Sequence, residues 1–318
     1  MQFCIPANTM TSSDPNKILA AQRLRDGLTR IQAARARSLN DAALHERLLL
    51  LKGWQVDRLS TTYADLLADP RYGPPTEFFR NDLYGPKDFS QRDRDVERIY
   101  GAMVRILPTG ALHAVATALE LEALSEELDL ELADVLWEKL AAKDGITLEK
   151  YAEAYRLTER HAERAEQITL ILELGADLDR LVRVPLLYAS LKLMRGPARM
   201  AGLAALQDFL ERGFHAFRHM HGAEEFLQII GERETRILER VFSRHPAPFA
   251  LDRSLGLRRR HALLLRHPQA KRLRDREGRP SLSRRTAVSG HRQRPHVSRG
   301  GLAHDSHPAD EQHVHGLG

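Results

Sequence analysis

The chain has 318 residues, 42% of them hydrophobic but only 6% aromatic, with 48 Lys and Arg against 43 Asp and Glu, fifteen His and one Cys. That length suits one large domain with an appendage, and Cys4 without a partner excludes a disulfide framework and any Cys-based zinc or iron–sulfur centre. No run of eighteen apolar residues is present, and the N-terminus lacks the charged and apolar regions of a signal peptide, so a cytoplasmic protein without a membrane span is expected.

Residues 1–13 carry no helical pattern and are expected to be disordered, and Met10, just before Thr-Ser-Ser-Asp-Pro, is a second candidate for the start of translation. Asp14 as N-cap with Pro15 behind it opens a first helix with Leu24, Leu28 and Ile31 on one face and Arg23, Arg25, Arg30, Arg35 and Arg37 on the others. Asn40 or Asp41 caps a second helix through Leu44, Leu48, Leu51, Trp54, Leu59 and Leu66. Residues 69–75, with three prolines, read as a loop; a helical turn from Thr76 to Tyr84 and a Gly85-Pro86 turn follow.

Ser90 starts a helix bearing Val96, Ile99, Met103 and Leu107. After Pro108 the next helix reaches about Ala142, with Leu112, Ala116, Leu121, Leu124, Leu128, Leu132 and Val135 as its stripe. Thr147 restarts a helix that the pattern extends to Val182; a short one covers residues 186–194, Gly196-Pro197 breaks it, and two more cover 198–218 and 223–242. Period-two alternation is missing throughout. The expected class is therefore all-α, a bundle of long antiparallel helices over residues 14–246.

Charge divides unevenly. Residues 247–318 hold 15 Lys and Arg against 6 Asp and Glu, so the tail carries +9 and the preceding chain −4. The tail has Phe249 as its only aromatic and eight of the fifteen His, which predicts a disordered Arg/His-rich segment. Three readings compete for it: a solvated tail, an out-of-frame translation of a GC-rich gene, and nonspecific nucleic-acid binding through phosphate contacts.

Phe78, Phe79, Arg80, Asn81, Asp82, Leu83 and Tyr84 resemble the motif of an uncharacterised bacterial family named for the word FFLEELY. The resemblance takes in Trp54, Gln55, Arg58, Leu59, Thr62, Tyr63, Asp65 to Leu67, Arg71 and Tyr72, Gly85 to Phe89, and, further on, Pro197, Gly202, Leu206, Gln207, Phe209, Gly213, Phe214 and Phe217, spanning about residues 45–245. This chain has Arg80, Asn81 and Asp82 where the family word has Leu-Glu-Glu. The resemblance implies a fold and brings no catalytic residue. Read from the residues themselves, Phe78, Phe79, Leu83 and Tyr84 fill a groove between long helices, a structural role.

Glu211, His215 and His219 recur at four-residue spacing on one helix face, the sharpest metal-like pattern in the chain, with Gly213 expected to interrupt that helix. No His follows a Glu by three residues, which argues against a ferritin-like di-iron bundle, and His161 is an isolated candidate axial ligand. No cofactor is expected. Residues 106–138 lack Lys and Arg but carry eight acidic residues, and like-charge pairs such as Glu122 with Glu126 and Glu127 with Glu131 need an offset. The Arg-rich first helix can supply it, within the chain or from a second subunit. Arg195 and Arg199, beside a helix start, form a weak anion site. The preferred functional expectation is a non-catalytic protein-interaction or scaffold module acting through a partner or self-association; the alternatives are a metal- or cofactor-dependent helical enzyme using Glu211, His215 and His219, and nucleic-acid binding by the tail.

Overall fold

The computed structural model describes residues 14–83, 85 and 90–250; the expectations attached to Cys4, Met10, Tyr84, Pro86 and the tail beyond residue 250 lie outside the described residues. Among the described residues the chain is all-α. Helix α1 (Pro15–Leu39) is capped by the Asp14 carboxylate, which accepts from the Asn16 N–H at 3.0 Å, and α2 (Ala42–Thr62) by Asp41, which accepts from the Leu44 N–H at 3.1 Å. α2 stops at Thr62, and Leu66 belongs to the short α3 (Ala64–Leu67).

The proline segment departs from expectation. Gly73, Pro74 and Pro75 do not form a loop but open α4 (Gly73–Phe78), because the first turn of a helix has no use for the N–H that proline lacks. α4 continues as a wide turn over Phe79–Leu83. Then come α5 (Ser90–Ile106) and α6 (Thr109–Asp134), the latter extended by a wide turn, Val135–Lys139.

The helix expected from Thr147 to Val182 is two: α7 (Leu148–Leu157) and α8 (His161–Leu181). The break lies at Glu159, whose φ of 55° is left-handed; no Gly or Pro announces it. Beyond α9 (Pro185–Leu193), the helix expected over 198–218 also splits, into α10 (Arg195–Met200) and α11 (Ala204–Met220), at Gly202 with φ 70°. α12 (Glu224–Phe242) completes the set.

α6 is the axis of the fold. Its Leu112, Ala116, Leu119 and Ala123 pack with Leu24, Leu28 and Ile31 of α1 and with Val96 and Tyr100 of α5. On its other side Leu121, Leu124 and Leu128 join Leu170, Ile171 and Leu174 of α8, and Phe226, Leu227 and Ile230 of α12. Neighbours α6 and α8 are antiparallel, as expected, since Ser125 meets Gln167 while Glu131 meets Arg160. α1 and α6 instead run parallel: Arg23, Arg30 and Arg37 meet Glu120, Glu127 and Asp134, each pair 97 residues apart. Four intervening helices return the chain to make this parallel pairing possible. The two backbones approach closely at Gly27, where an added Cβ would lie 3.0 Å from Leu119 Cβ and 3.1 Å from its carbonyl carbon.

The acidic run on α6 is neutralised inside the chain. Glu122 pairs with Arg35 and Arg92, Glu126 with Lys52, Glu127 with Arg30, and Glu131 with Arg160. Of the two offsets expected for this run, the structure uses the internal one. The charge asymmetry that motivated a partner surface is thereby accounted for.

Candidate functional site

The motif segment is a packing element around a cavity. Phe78 seats on Gly213 of α11, where an added Cβ would lie 2.9 Å from the ring's Cζ, and its ring centroid is 5.5 Å from that of Phe209. Gly213 therefore does not interrupt α11; it supplies the seat. Phe79 packs against Phe217 and Phe226 with centroids 6.0 and 5.9 Å away, Leu83 lies against the same core, and the buried Asp82 accepts from Arg212 at 2.9 Å. Arg71 donates to the Met220 and Gly222 carbonyls, tying the end of α11 to the start of this segment.

Behind Phe79 lies a cavity of about 110 Å³, bounded by α2, α3, α6, α7, α8 and α12. Tyr63, Phe79, Tyr151, Tyr155, Phe226 and Phe249 give it aromatic walls, and Leu59, Ile168, Ile171, Ile230 and Ile237 aliphatic ones. Its charged groups are the guanidiniums of Arg58, Arg80 and Arg164 and the carboxyls of Asp129 and Glu234. Local helix register brings them together. α7, started by the Thr147 hydroxyl that accepts from the Lys150 N–H, presents Tyr151 and Tyr155 four residues apart; α8 presents Arg164, Gln167 and Ile171; α12 presents Phe226, Ile230 and Glu234.

The polar groups are unevenly satisfied. Glu234 accepts from the Tyr63 hydroxyl at 2.7 Å but meets Arg58 only at 3.4 and 3.5 Å. Arg164, 4% exposed, reaches the Leu128 carbonyl at 3.3 Å and Gln167 Oε1 at 3.4 Å, and its guanidinium lies 4.2 Å from the Tyr155 ring centroid. No ion pair is formed by Arg164, and the Nε–H groups of both Arg58 and Arg164 are buried without an acceptor among the described residues. Arg80 donates to Asn81 Oδ1 and Ser60 Oγ at 3.2 and 3.4 Å. Burial pushes the Asp129 carboxyl above the usual carboxylate range, against the pull of Lys52 and Arg164, while Gln55 Nε2 donates to its Oδ1 at 2.8 Å. Just outside the wall Arg233 makes a two-pronged pair with Asp65 at 2.8 and 2.6 Å, showing what a matched guanidinium in this core looks like.

The residues singled out from sequence lie elsewhere. Glu211, His215 and His219 do share α11, but Glu211 is held by Arg195 and Gln207, which bring its carboxyl down to about 2. His219 Nε2 meets the Pro70 carbonyl at 2.8 Å, and the His215 and His219 ring centroids are 6.5 Å apart. Among the described residues no group of three or more His, Cys, Asp and Glu is gathered for a metal ion. Arg195 and Arg199 are occupied by Glu211 and Asp208, so they make no open anion site. His161 packs edge-on against Phe242, centroids 4.7 Å apart.

Nothing in the sequence pattern marks the cavity residues for chemistry. Gln55, Arg58 and Tyr63 stand out in the sequence only as part of the resemblance, and Leu59 otherwise only as a stripe position of the second helix. One signal was there to use: Arg164 and Gln167 prolong the apolar face of α8 that continues through Ile171 and Leu174, which puts polar groups where the stripe demands burial. Phe249, grouped with the tail by composition, packs 6.0 Å from the Tyr151 ring.

Fold and cavity together define an all-helical domain built around a central helix, with a mainly apolar internal chamber that holds a few charged groups to one side of it. No helix among the described residues is long and apolar enough to cross a membrane. The chain belongs to a family described as a domain of unknown function (DUF8198), whose profile matches residues 34–248. The match ends where the composition changes, at Pro248. No curated protein and no solved structure matches the chain.

Proposed function

We infer that this domain binds a small molecule in the chamber between α2, α6, α7, α8 and α12. The observation that carries the reading is the coexistence, in one cavity of about 110 Å³, of aromatic walls with the buried Arg164, whose guanidinium meets a carbonyl and an amide but no carboxylate. A buried cation without a matched anion costs free energy, and an occupant that brings one to it would offset that cost. Ligand chambers combine apolar walls with a few converging polar groups in this way. The test is thermal denaturation of the full chain across a library of anionic, neutral and cationic small molecules. Saturable stabilisation by at least one class, abolished by the cavity-filling change Ser125→Phe, is expected; stabilisation by none would overturn the reading.

A second reading, self-association, is favoured by α9 and α10, where Leu186, Leu193 and Met200 are 78%, 80% and 91% exposed. Its occupant is a second copy of this chain, and sedimentation of the full chain and of an L186K/L193K variant decides it: two monomers dismiss it. The scaffold role has lost the charge asymmetry that suggested it. The burial of Phe78 and Phe79 supports the FFLEELY-motif assignment of their segment without extending it to an activity. A metal role for Glu211, His215 and His219 has only their shared helix in its favour.

A further inference from the structure

We propose that the chamber's ligand is a short-chain organic monocarboxylate, its carboxylate held by Arg58 and Arg164 and its carbon chain against Tyr151, Tyr155 and Ile171; this rests on the small-molecule reading above. Size comes first. A water needs on the order of 10–15 Å³ of such space and benzene enters an apolar cavity of roughly 150 Å³, so about 110 Å³ suits a ligand of a few heavy atoms.

Charge comes second. Three guanidiniums face two carboxyls, and burial drives one of these, Asp129, toward its neutral form. The wall therefore has positive charge to spare. A cation would meet Arg58, Arg80 and Arg164, with Glu234 already serving Tyr63 and Arg58, and would have only Asp129 to receive it.

Donor geometry comes third. Arg58 and Arg164 line one cavity, Arg58 meets Glu234 only at 3.4 and 3.5 Å and Arg164 meets no carboxylate, and a carboxylate is the acceptor for which guanidinium forks are built. An oxyanion such as phosphate brings no carbon body for the aromatic and aliphatic walls to cover. In surroundings of lower dielectric than water each such hydrogen bond is stronger, so the anion and the arginines would stabilise one another. The same logic makes Asp129 a competitor for the ligand: when ionised it puts a second negative charge beside the bound carboxylate.

The experiment is calorimetric titration of the full chain with butyrate, butyramide and inorganic phosphate at constant ionic strength. Butyrate is expected to bind saturably, and butyramide and phosphate at least tenfold more weakly. Arg164→Met should abolish butyrate binding and Asp129→Asn should tighten it. Equal binding of butyramide would overturn the carboxylate inference and leave the chamber reading intact, and so would tighter binding of phosphate. Butyrate binding that survived both Arg164→Met and Ser125→Phe would place the anion elsewhere and sink the proposal. If none of the three bound, the inference would fail, while neutral and cationic members of the library would decide the chamber reading on their own. The comparison of butyrate with butyramide uses the unaltered chain, so it holds even if a variant does not fold.

Discussion

Along the seam between α1 and α6, Arg23, Arg30 and Arg37 meet Glu120, Glu127 and Asp134 at a constant register, whereas in the chamber Arg164 meets only a backbone carbonyl and an amide. The seam is half-exposed and its charges are matched; in the chamber Arg58 has Glu234, but the buried Arg164 has no carboxylate partner. Matched surface pairs contribute little each, so the seam owes its stability to the apolar contact beneath and to the close approach at Gly27. The largest expected effect tests this. Gly27→Val places a branched side chain 3.0–3.3 Å from Leu119 and Glu120 backbone and Cβ atoms that cannot swing aside, and should destabilise by about 3 kcal/mol. Gly53→Ala on α2, with no atom within 4 Å of the new Cβ, should instead stabilise by about 0.5–1 kcal/mol. Urea denaturation of both variants is the measurement; equal behaviour would break the account of the seam.

In the chamber the sign reverses. Arg164→Met removes a buried cation that no carboxylate contacts, and is expected to raise the stability of the unliganded protein by about 1–2 kcal/mol. A loss of stability would mean that the arginine is a structural strut and the contrast with the seam is false. Asp129→Asn should add about 1 kcal/mol at neutral pH. Burial raises the folded-state pKa of Asp129 above its unfolded value, so its ionisation costs stability as pH rises through the unfolded value toward the folded one, and the cost is fully present above both. The advantage of Asp129→Asn must therefore disappear in acid, below the ordinary carboxylate range near 3.9. A variant whose advantage was independent of pH would contradict the raised pKa. Glu211 has the opposite sign: Arg195 holds its pKa at about 2 against an ordinary 4.5, so its contribution is complete above about 4.5 and fades as pH falls toward 2. Glu211→Gln should be less stable than the parent at pH 7 and indistinguishable from it near pH 2, by urea denaturation at both.

The same division explains what was legible in the sequence. Caps and stripes are local, and Asp14, Asp41 and Thr147 started the helices they announced. The charge run on α6 and the arginines of α1 were complementary in composition, which foretold their pairing but not its parallel direction, because direction depends on how four intervening helices return the chain. The break at Glu159 left no trace, since a left-handed Glu is imposed by the packing of α7 and α8 and not by its own preference. The chamber was the least legible feature. Its polar residues come from α2, the turn after α4, α6, α8 and α12, scattered along the chain from Gln55 to Glu234, and they form no motif; the more motif-like Glu211, His215 and His219 carry other contacts.

The smallest expected effect is also the sharpest discriminator between the two regions. Arg30 donates to Glu127 at 2.9 and 2.7 Å, and this hydrogen-bonded pairing, ahead of the simple proximity of charges, holds the Glu127 carboxyl below its ordinary value. With Arg30 39% and Glu127 32% exposed, water and salt screen the pair, so a double-mutant cycle of Arg30→Ala and Glu127→Ala should give a coupling of only about 0.5 kcal/mol. A lowered carboxylate pKa makes that coupling complete above the unfolded value and lost as pH falls through the folded one. It should also shrink in molar salt, where the Debye length drops to about 3 Å. Carboxylate binding in the chamber, enclosed by Tyr151, Tyr155 and Phe249, should change far less over the same salt range. If seam and chamber responded to salt alike, the chamber would be open to solvent, and the distinction drawn between matched exposed charge and unmatched buried charge would collapse.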